Sequence, residues 1–255
     1  MLVDVELFTC HSDNFGVLAR DRETGAAMLV DAPEEAPILE AIGRTGWKPS
    51  LLLVTHHHHD HVEANLALKR RFGLRIVGPE AEADRIPGID ETVREGDALA
   101  LGSQEIRVIE TPGHTAGHVC YHLPAAGIVF TADTLFALGC GRLFEAPPET
   151  MFASLGKLAA LPGQTAVYCG HEYTLSNARF ALSVDPGNER LKARAARVEA
   201  LRARGKPTLP TTIAEELATN PFLRAADPAI RKTLGMEAAS DAQVFAELRR
   251  RKDSF

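Results

Sequence analysis

An α/β domain followed by a helical appendage is the architecture this sequence predicts, and three observations carry it. Short apolar runs bounded by Gly, Pro and Asp alternate with helix-period stretches over the first two-thirds of the chain. Past about Tyr173 the strands stop, and Ala, Leu, Arg and Glu recur at helical spacing. Histidines gather where the apolar runs end, with five of the ten at His56, His57, His58, His59 and His61.

Taken in order, the candidate strands are 3–7, 15–19, 28–31, 51–54, 75–77, 105–110, 119–123, 128–131 and 166–169. Helical stretches fall near 36–45, 62–72 and 150–160. Such a mixture points to two sheets, or one sheet with covering helices, rather than to a bundle. The appendage reads as helices at 174–183, 188–204, 211–218, 227–234 and 240–251, broken by Pro186-Gly187, Pro207 and Pro210. The expected division is a domain over residues 1–173 and a helical domain over 174–255.

A chain of 255 residues can bury a full core, and 45% apolar with 24% charged residues is ordinary globular composition. The net charge of −6 hides an asymmetry. Residues 1–185 carry 14 basic against 25 acidic side chains, and residues 186–255 carry 14 against 9. The basic end closes on Arg249-Arg250-Arg251-Lys252. That run is short and the sequence pI is about 5.9, so nucleic acid is not the expected partner. No apolar run approaches a membrane span, and the opening Met1-Leu2-Val3-Asp4-Val5-Glu6 lacks a basic n-region. The expectation is a cytoplasmic protein without membrane contact. Cys10, Cys120, Cys140 and Cys169 are scattered, as reduced core thiols would be.

The chemistry lies at the strand ends. Leu51-Leu52-Leu53-Val54 runs straight into Thr55-His56-His57-His58-His59-Asp60-His61. In extended backbone His56 and His58 point to one side, and Asp60 and His61 follow as the chain turns toward a helix. These are more donors than one tetrahedral ion accepts, so two centres are expected. The competing reading is a surface polyhistidine loop that scavenges metal. Downstream, Thr111-Pro112-Gly113-His114 follows a strand, Asp133 follows 128–131, and Gly170-His171 follows 166–169. His118 opens the next strand and reads as a structural or supporting histidine. Four strand ends presenting His or Asp are hard to ascribe to packing, because uncompensated buried imidazoles and carboxylates are costly.

These residues resemble a known family. HxHxDH with a later His, an Asp and a final His is similar to the metallo-β-lactamase superfamily, and the chain most resembles glyoxalase II within it. TPGHTAGHVCY (111–121), FTADTLFALGC (130–140), YCGHEYT (168–174), DPGN (185–188), NPFLR (220–224) and the terminal RRRKDSF carry that resemblance. It implies an αββα sandwich with a C-terminal helical domain. It implies one metal on His56, His58 and His114, a second on Asp60, His61 and His171, and Asp133 bridging them. His57 and His59 fall on variable positions of the motif and are read as non-ligands. Arg142, Phe144, Tyr173, Arg249 and Lys252 match the positions that hold glutathione. Relatives often have Lys and Tyr at the first two of these, and Glu63-Ala64 replaces a common Gly-Gly.

By the same resemblance the cofactors are two divalent ions, zinc first, with iron or manganese as alternatives. The substrate is S-D-lactoylglutathione, cleaved to D-lactate and glutathione in methylglyoxal detoxification by a monomer. Two ions sharing a water bring its pKa from about 15.7 toward about 7, so a metal-bridging hydroxide is the nucleophile and no further catalytic side chain is required. A thiol of pKa about 8.5 leaves as thiolate without a dedicated acid. The alternative is a glutathione persulfide dioxygenase of the same fold.

Overall fold

The β-rich runs of the first third pair with one another. In a computed structural model, which describes residues 2–255, they form a six-stranded sheet. Its order is β1 (Val3–Cys10), β2 (Asn14–Asp21), β3 (Ala27–Val30), β4 (Pro49–Leu53), β5 (Arg75–Pro79) and β6 (Glu91–Val93). β1, β2 and β3 are antiparallel and close through short turns. From β3 onward the pairing is parallel, which demands crossovers. Those are α1 (Glu35–Thr45), then α2 (His59–Val62) with α3 (Asn65–Phe72), and a 3₁₀ turn at Glu80–Arg85. Alternation along the strands sends Leu18, Leu29, Leu52 and Ile76 to one face, where they pack with Ile38, Ile42 and Leu68 of the helices. Truncating a fully buried leucine such as Leu52 to alanine would cost about 2–5 kcal/mol.

The chain divides into two compact units. The first holds the residues up to Glu110 together with Ala116–Thr131. Besides the six-stranded sheet it contains β7 (Ala98–Leu101), β8 (Gln104–Glu110) and β9 (Val119–Leu123), with β10 (Ile128–Ala132) reaching its edge. These four pair antiparallel in chain order. Within this unit the buried Tyr121 hydroxyl donates to the Val54 carbonyl at 2.7 Å. The Val119 N–H donates to the Thr55 carbonyl at 3.0 Å, so β9 is fastened to the chain just past β4.

The second unit comprises Thr111–Thr115 and Ala132–Phe255. It contains the hairpin β11 (Leu135–Phe136) and β12 (Gly139–Cys140), then α4 (Pro148–Ala159) and β13 (Ala166–Cys169). The helices α5 (Thr174–Val184) and α6 (Glu189–Arg202) follow, then β14 (Thr211–Thr212), α7 (Ile213–Thr219), α8 (Pro228–Leu234) and α9 (Asp241–Asp253). β14 pairs antiparallel with β13. Four helix starts carry side-chain caps, from Asn188, Thr212, Asp227 and Ser240, the last a capping box with Gln243. Phe180, Phe222 and Phe245 form the aromatic core of this unit.

The expected elements recur within a few residues, with two differences. The stretch expected as one helix over 62–72 is split, because α2 ends at Val62 and α3 begins at Asn65. The short strands β6, β7, β11, β12 and β14 were not expected, since two to four residues give too little alternation to read. All four cysteines are buried, and burial pushes the Cys140 thiol up to about 11 and that of Cys169 up to about 12. No helix among the described residues is long and apolar enough to cross a membrane. Met1, part of the expectation about the opening residues, lies outside the described residues.

Candidate metal centre

In the first unit, β4 delivers the chain to Leu53 and the histidine run follows. His56 and His61 are buried, His58 and Asp60 half-buried. His56 Nε2 lies 3.2 Å from His58 Nδ1, and the rings of His56 and His61 are 4.2 Å apart. Three imidazoles therefore converge on one spot. Asp31, just past β3 and in the left-handed region with φ 57°, orients His61 directly and His56 through Thr55, whose hydroxyl lies 3.0 Å from His56 Nδ1. One carboxylate oxygen accepts the Thr55 N–H at 2.8 Å. The other accepts the Thr55 hydroxyl and meets His61 Nδ1, both at 2.8 Å. With Nδ1 holding its proton toward a carboxylate, Nε2 of His61 is the nitrogen available to a metal. Asn14 donates to the Asp60 carboxylate at 3.0 Å and to its carbonyl at 3.1 Å.

The other histidines of this unit are placed differently. His57 turns to Glu82: its ring Nδ1 lies 2.6 Å from Oε2, and its backbone N–H donates to the same oxygen at 2.7 Å. Glu82 is buried, and its second oxygen accepts the Gly117 N–H at 2.9 Å. His59 projects outward, its side chain 81% exposed beside Glu63. The buried His118 stacks on His56 with ring centroids 4.9 Å apart.

In the second unit, one oxygen of the buried Asp133 lies 3.3 Å from His114 Nε2 and 3.4 Å from His171 Nε2. Each imidazole is fixed from behind or beside. His114 Nδ1 faces the Arg142 carbonyl at 2.9 Å, and His171 stacks on Tyr173 with ring centroids 4.7 Å apart and the planes nearly parallel. Ala132, just before Asp133, adopts φ 37°, and its carbonyl accepts the Gly170 N–H at 3.0 Å. Gly141 has no alternative here, because a side chain would run into the Asp133 carbonyl.

The donor chemistry of both clusters fits divalent ions. Imidazole nitrogens and a carboxylate are aimed inward, with carboxylate or carbonyl partners on the far ring nitrogen of His61 and His114, as metal-binding histidines require.

The residues expected to hold glutathione all lie in the second unit. Phe144 is 61% and Tyr173 38% exposed, and Phe144 packs edge-on against His114 at 5.2 Å. Arg142 is exposed, its Nε 4.0 Å from Asp253. Lys252 donates to the Ser176 hydroxyl at 2.9 Å. Partial burial first, then the charges of Arg249 and Arg142, push its ammonium down to about 8. Arg249 points inward and is buried. Its guanidinium donates to the Cys140 carbonyl at 2.8 Å, pairs with Asp253 at 2.9 Å and lies over Phe222.

Sequence reasoning missed Asp31 and Glu82. Asp31 carries the signal that marked Asp133, a carboxylate closing a buried strand. Glu82 sits in Glu80-Ala81-Glu82-Ala83-Asp84, where nothing local singles it out.

Comparison with known proteins adds the lineage. Residues 17–171 match the metallo-beta-lactamase superfamily, and residues 172–255 match the C-terminus of hydroxyacylglutathione hydrolase. The chain is 70% identical to the hydroxyacylglutathione hydrolase of Mesorhizobium japonicum and 68% identical to that of Chelativorans sp., over the whole of both chains in each case. Among solved structures it resembles ETHE1 from Myxococcus xanthus, with a TM-score of 0.70 and 25% identity over 97% of this chain and 90% of that one.

Proposed function

This chain belongs to the hydroxyacylglutathione hydrolase family of the metallo-beta-lactamase superfamily, and from that premise we propose that it hydrolyses S-(2-hydroxyacyl)glutathione thioesters. The preferred substrate is S-D-lactoylglutathione, released as D-lactate and glutathione in methylglyoxal detoxification. The cofactors are two divalent ions, zinc first, with iron or manganese as alternatives. His56, His58 and His114 would hold one ion, Asp60, His61 and His171 the other, and Asp133 would contribute to both. When bound, such ions supply an acidified water as nucleophile and Lewis acidity toward the thioester carbonyl.

The protein's own groups do the rest. Asp31 and the Arg142 carbonyl hold His61 and His114 in the tautomers that leave Nε2 available. Phe144 meets His114 edge-on and Tyr173 stacks on His171, and both rings shield the reacting end of the substrate from water. Arg142 and Lys252 form the accessible cationic side, opposite in sign to the two carboxylates of glutathione, and Arg249 adds its charge from a buried position on Cys140 and Asp253. A thiol of pKa about 8.5 departs as thiolate unaided, so the reading requires no dedicated acid. In this reading residues 1–173 carry the metal chemistry and residues 174–255 the substrate-binding helices, in a cytoplasmic monomer.

The observation that carries the reading is the pair of exposed aromatic rings seated on candidate ligands in the unit that also holds the cations. Anaerobic hydrolysis of S-D-lactoylglutathione by protein containing about two metal ions per chain tests it. Oxygen uptake with glutathione persulfide and no thioester cleavage would replace it with the dioxygenase reading.

A further inference from the structure

Between Asp133 and Arg142 the chain makes the β11–β12 hairpin, and side chains far downstream hold every residue of its turn by the backbone. The Phe136 and Gly139 carbonyls accept from the Asn220 amide at 3.3 and 2.9 Å. The Ala137 carbonyl accepts from the Asn177 amide at 3.1 Å. The Leu138 N–H donates to Glu216 at 2.9 Å, and the Cys140 carbonyl accepts from Arg249 at 2.8 Å. These partners come from α5, the α7 segment and α9, between 40 and 109 residues along the chain.

The clamp is itself buried and braced. Glu216 and Asn220 are wholly inaccessible, and Asn177, Arg194 and Arg249 nearly so. Glu216 pairs with Arg194 of α6, accepts the Thr211 hydroxyl at 2.7 Å and accepts from Asn220 at 3.0 Å. Leu138 takes a left-handed conformation, φ 60°, which a non-glycine residue keeps only where its surroundings dictate it. At Gly139 a side chain would collide with the Asn177 amide. Buried backbone carbonyls and an N–H at this turn need partners that apolar side chains could not supply, and the carboxylate, the arginine and the two amides supply them.

The one thiol of the hairpin, Cys140, is buried and its pKa pushed up to about 11, and the hairpin ends immediately before Gly141, Arg142 and Phe144. Meanwhile the Ala132 carbonyl, next to Asp133, is held separately by Gly170. We propose that Asn177, Glu216 and Asn220 are positioning residues that set Arg142 and Phe144 through the 136–140 backbone. They thereby govern recognition of the glutathione portion of the substrate more strongly than the hydrolytic step, which the hairpin reaches only through the Arg142 carbonyl and the Phe144 and Phe136 rings on His114 and His171. This gives the Asn220 of the NPFLR motif a role, and it rests on the thioesterase reading above.

The test compares wild type with Asn220→Ala and Asn177→Ala, using S-D-lactoylglutathione and a small neutral thioester, well below each variant's melting temperature. The expected result is a selective loss on the glutathione substrate of about ten- to a hundredfold in kcat/KM, mainly through KM. Neutral thioester hydrolysis and metal content should fall by no more than about threefold, through the Arg142 carbonyl that meets His114. Gly139→Ala, which disturbs the same contact by bulk, should show the same selectivity. If Asn220→Ala does not fold, Asn177→Ala gives the same readout, since it removes one bond and leaves the Arg194–Glu216 pair intact. Equal losses on both substrates, or folded variants with unchanged KM, overturn the proposal. An inactive wild type would instead overturn the thioesterase reading.

Discussion

Two runs of like residues, the histidines at 56–61 and the bases at 249–252, are each sorted into different roles by backbone geometry, but with different periods. In the histidine run the chain is extended from β4 to His58, so His56 and His58 part company with His57, and α2 begins at His59. His56 and His58 turn to the candidate ligand cluster, His57 to Glu82, and His59 to solvent. In the basic run the chain is helical, and successive residues swing about 100° apart. Arg249 points inward to Cys140 and Asp253, Arg250 and Arg251 pair with Glu247, and Lys252 lies half-buried on Ser176. A run of one residue type is therefore not one functional unit. Its period decides which members can act, and long-range partners decide which do.

The largest expected effect divides the histidine run. His56→Ala should lower activity and metal retention by more than about a hundredfold, while His59→Ala should stay within about twofold. Elemental analysis beside the thioesterase assay checks both, and a dead His59 variant would break the sorting by alternation.

Next come the residues that hold the run in place. Asp31→Asn should favour the wrong His61 tautomer, and Glu82→Ala should release His57 and Gly117 together. Each should weaken metal affinity about 10- to 100-fold in chelator competition. His57→Ala should do less, because Glu82 keeps its bond to the His57 backbone N–H. If His57→Ala matched His56→Ala, the division into inward and braced members would be wrong.

In the basic run the contrast appears first as stability. Arg249→Ala removes buried bonds to Cys140 and Asp253 and should cost about 1–3 kcal/mol in denaturant unfolding. Arg250→Ala, at an exposed position, should leave the unfolding midpoint unchanged. Equal midpoints for the two variants would contradict the helical sorting.

The smallest effect is a pH dependence. Partial burial lowers the Lys252 pKa to about 8, so its charge is present below that pH and lost above it. KM for the glutathione thioester should rise a few-fold as pH climbs through about 8 to 9. Lys252→Arg should flatten that rise, because guanidinium stays charged. A rise that persists in Lys252→Arg would assign the titration to another group.

Much of this was legible from local pattern. Strand 51–54 followed by histidines, and Gly or Pro turns carrying His114 and His171, announce themselves because donor type and strand end coincide in the sequence. Asp31 carried the same mark as Asp133, but a single aspartate at a turn has many commoner explanations. Glu82 was illegible, since its neighbours Glu80 and Asp84 have the same chemistry and only burial distinguishes it. Arg249 was legible as a base in a basic helix, but its inward direction was not.

By itself the sequence determined the order of the longer strands and helices, the donor types at the strand ends and the basic close of the chain. Each of these follows from composition and periodicity over a few residues. Only the tertiary structure decided that Asp31 faces His61, that Glu82 joins His57 to Gly117, and that Asn177, Glu216, Asn220 and Arg249 grip one hairpin. The partners in those contacts stand 25 to 109 residues apart. Periodicity reports which way a side chain faces, whereas what stands opposite it is fixed only when distant segments pack and every buried polar group must find a partner.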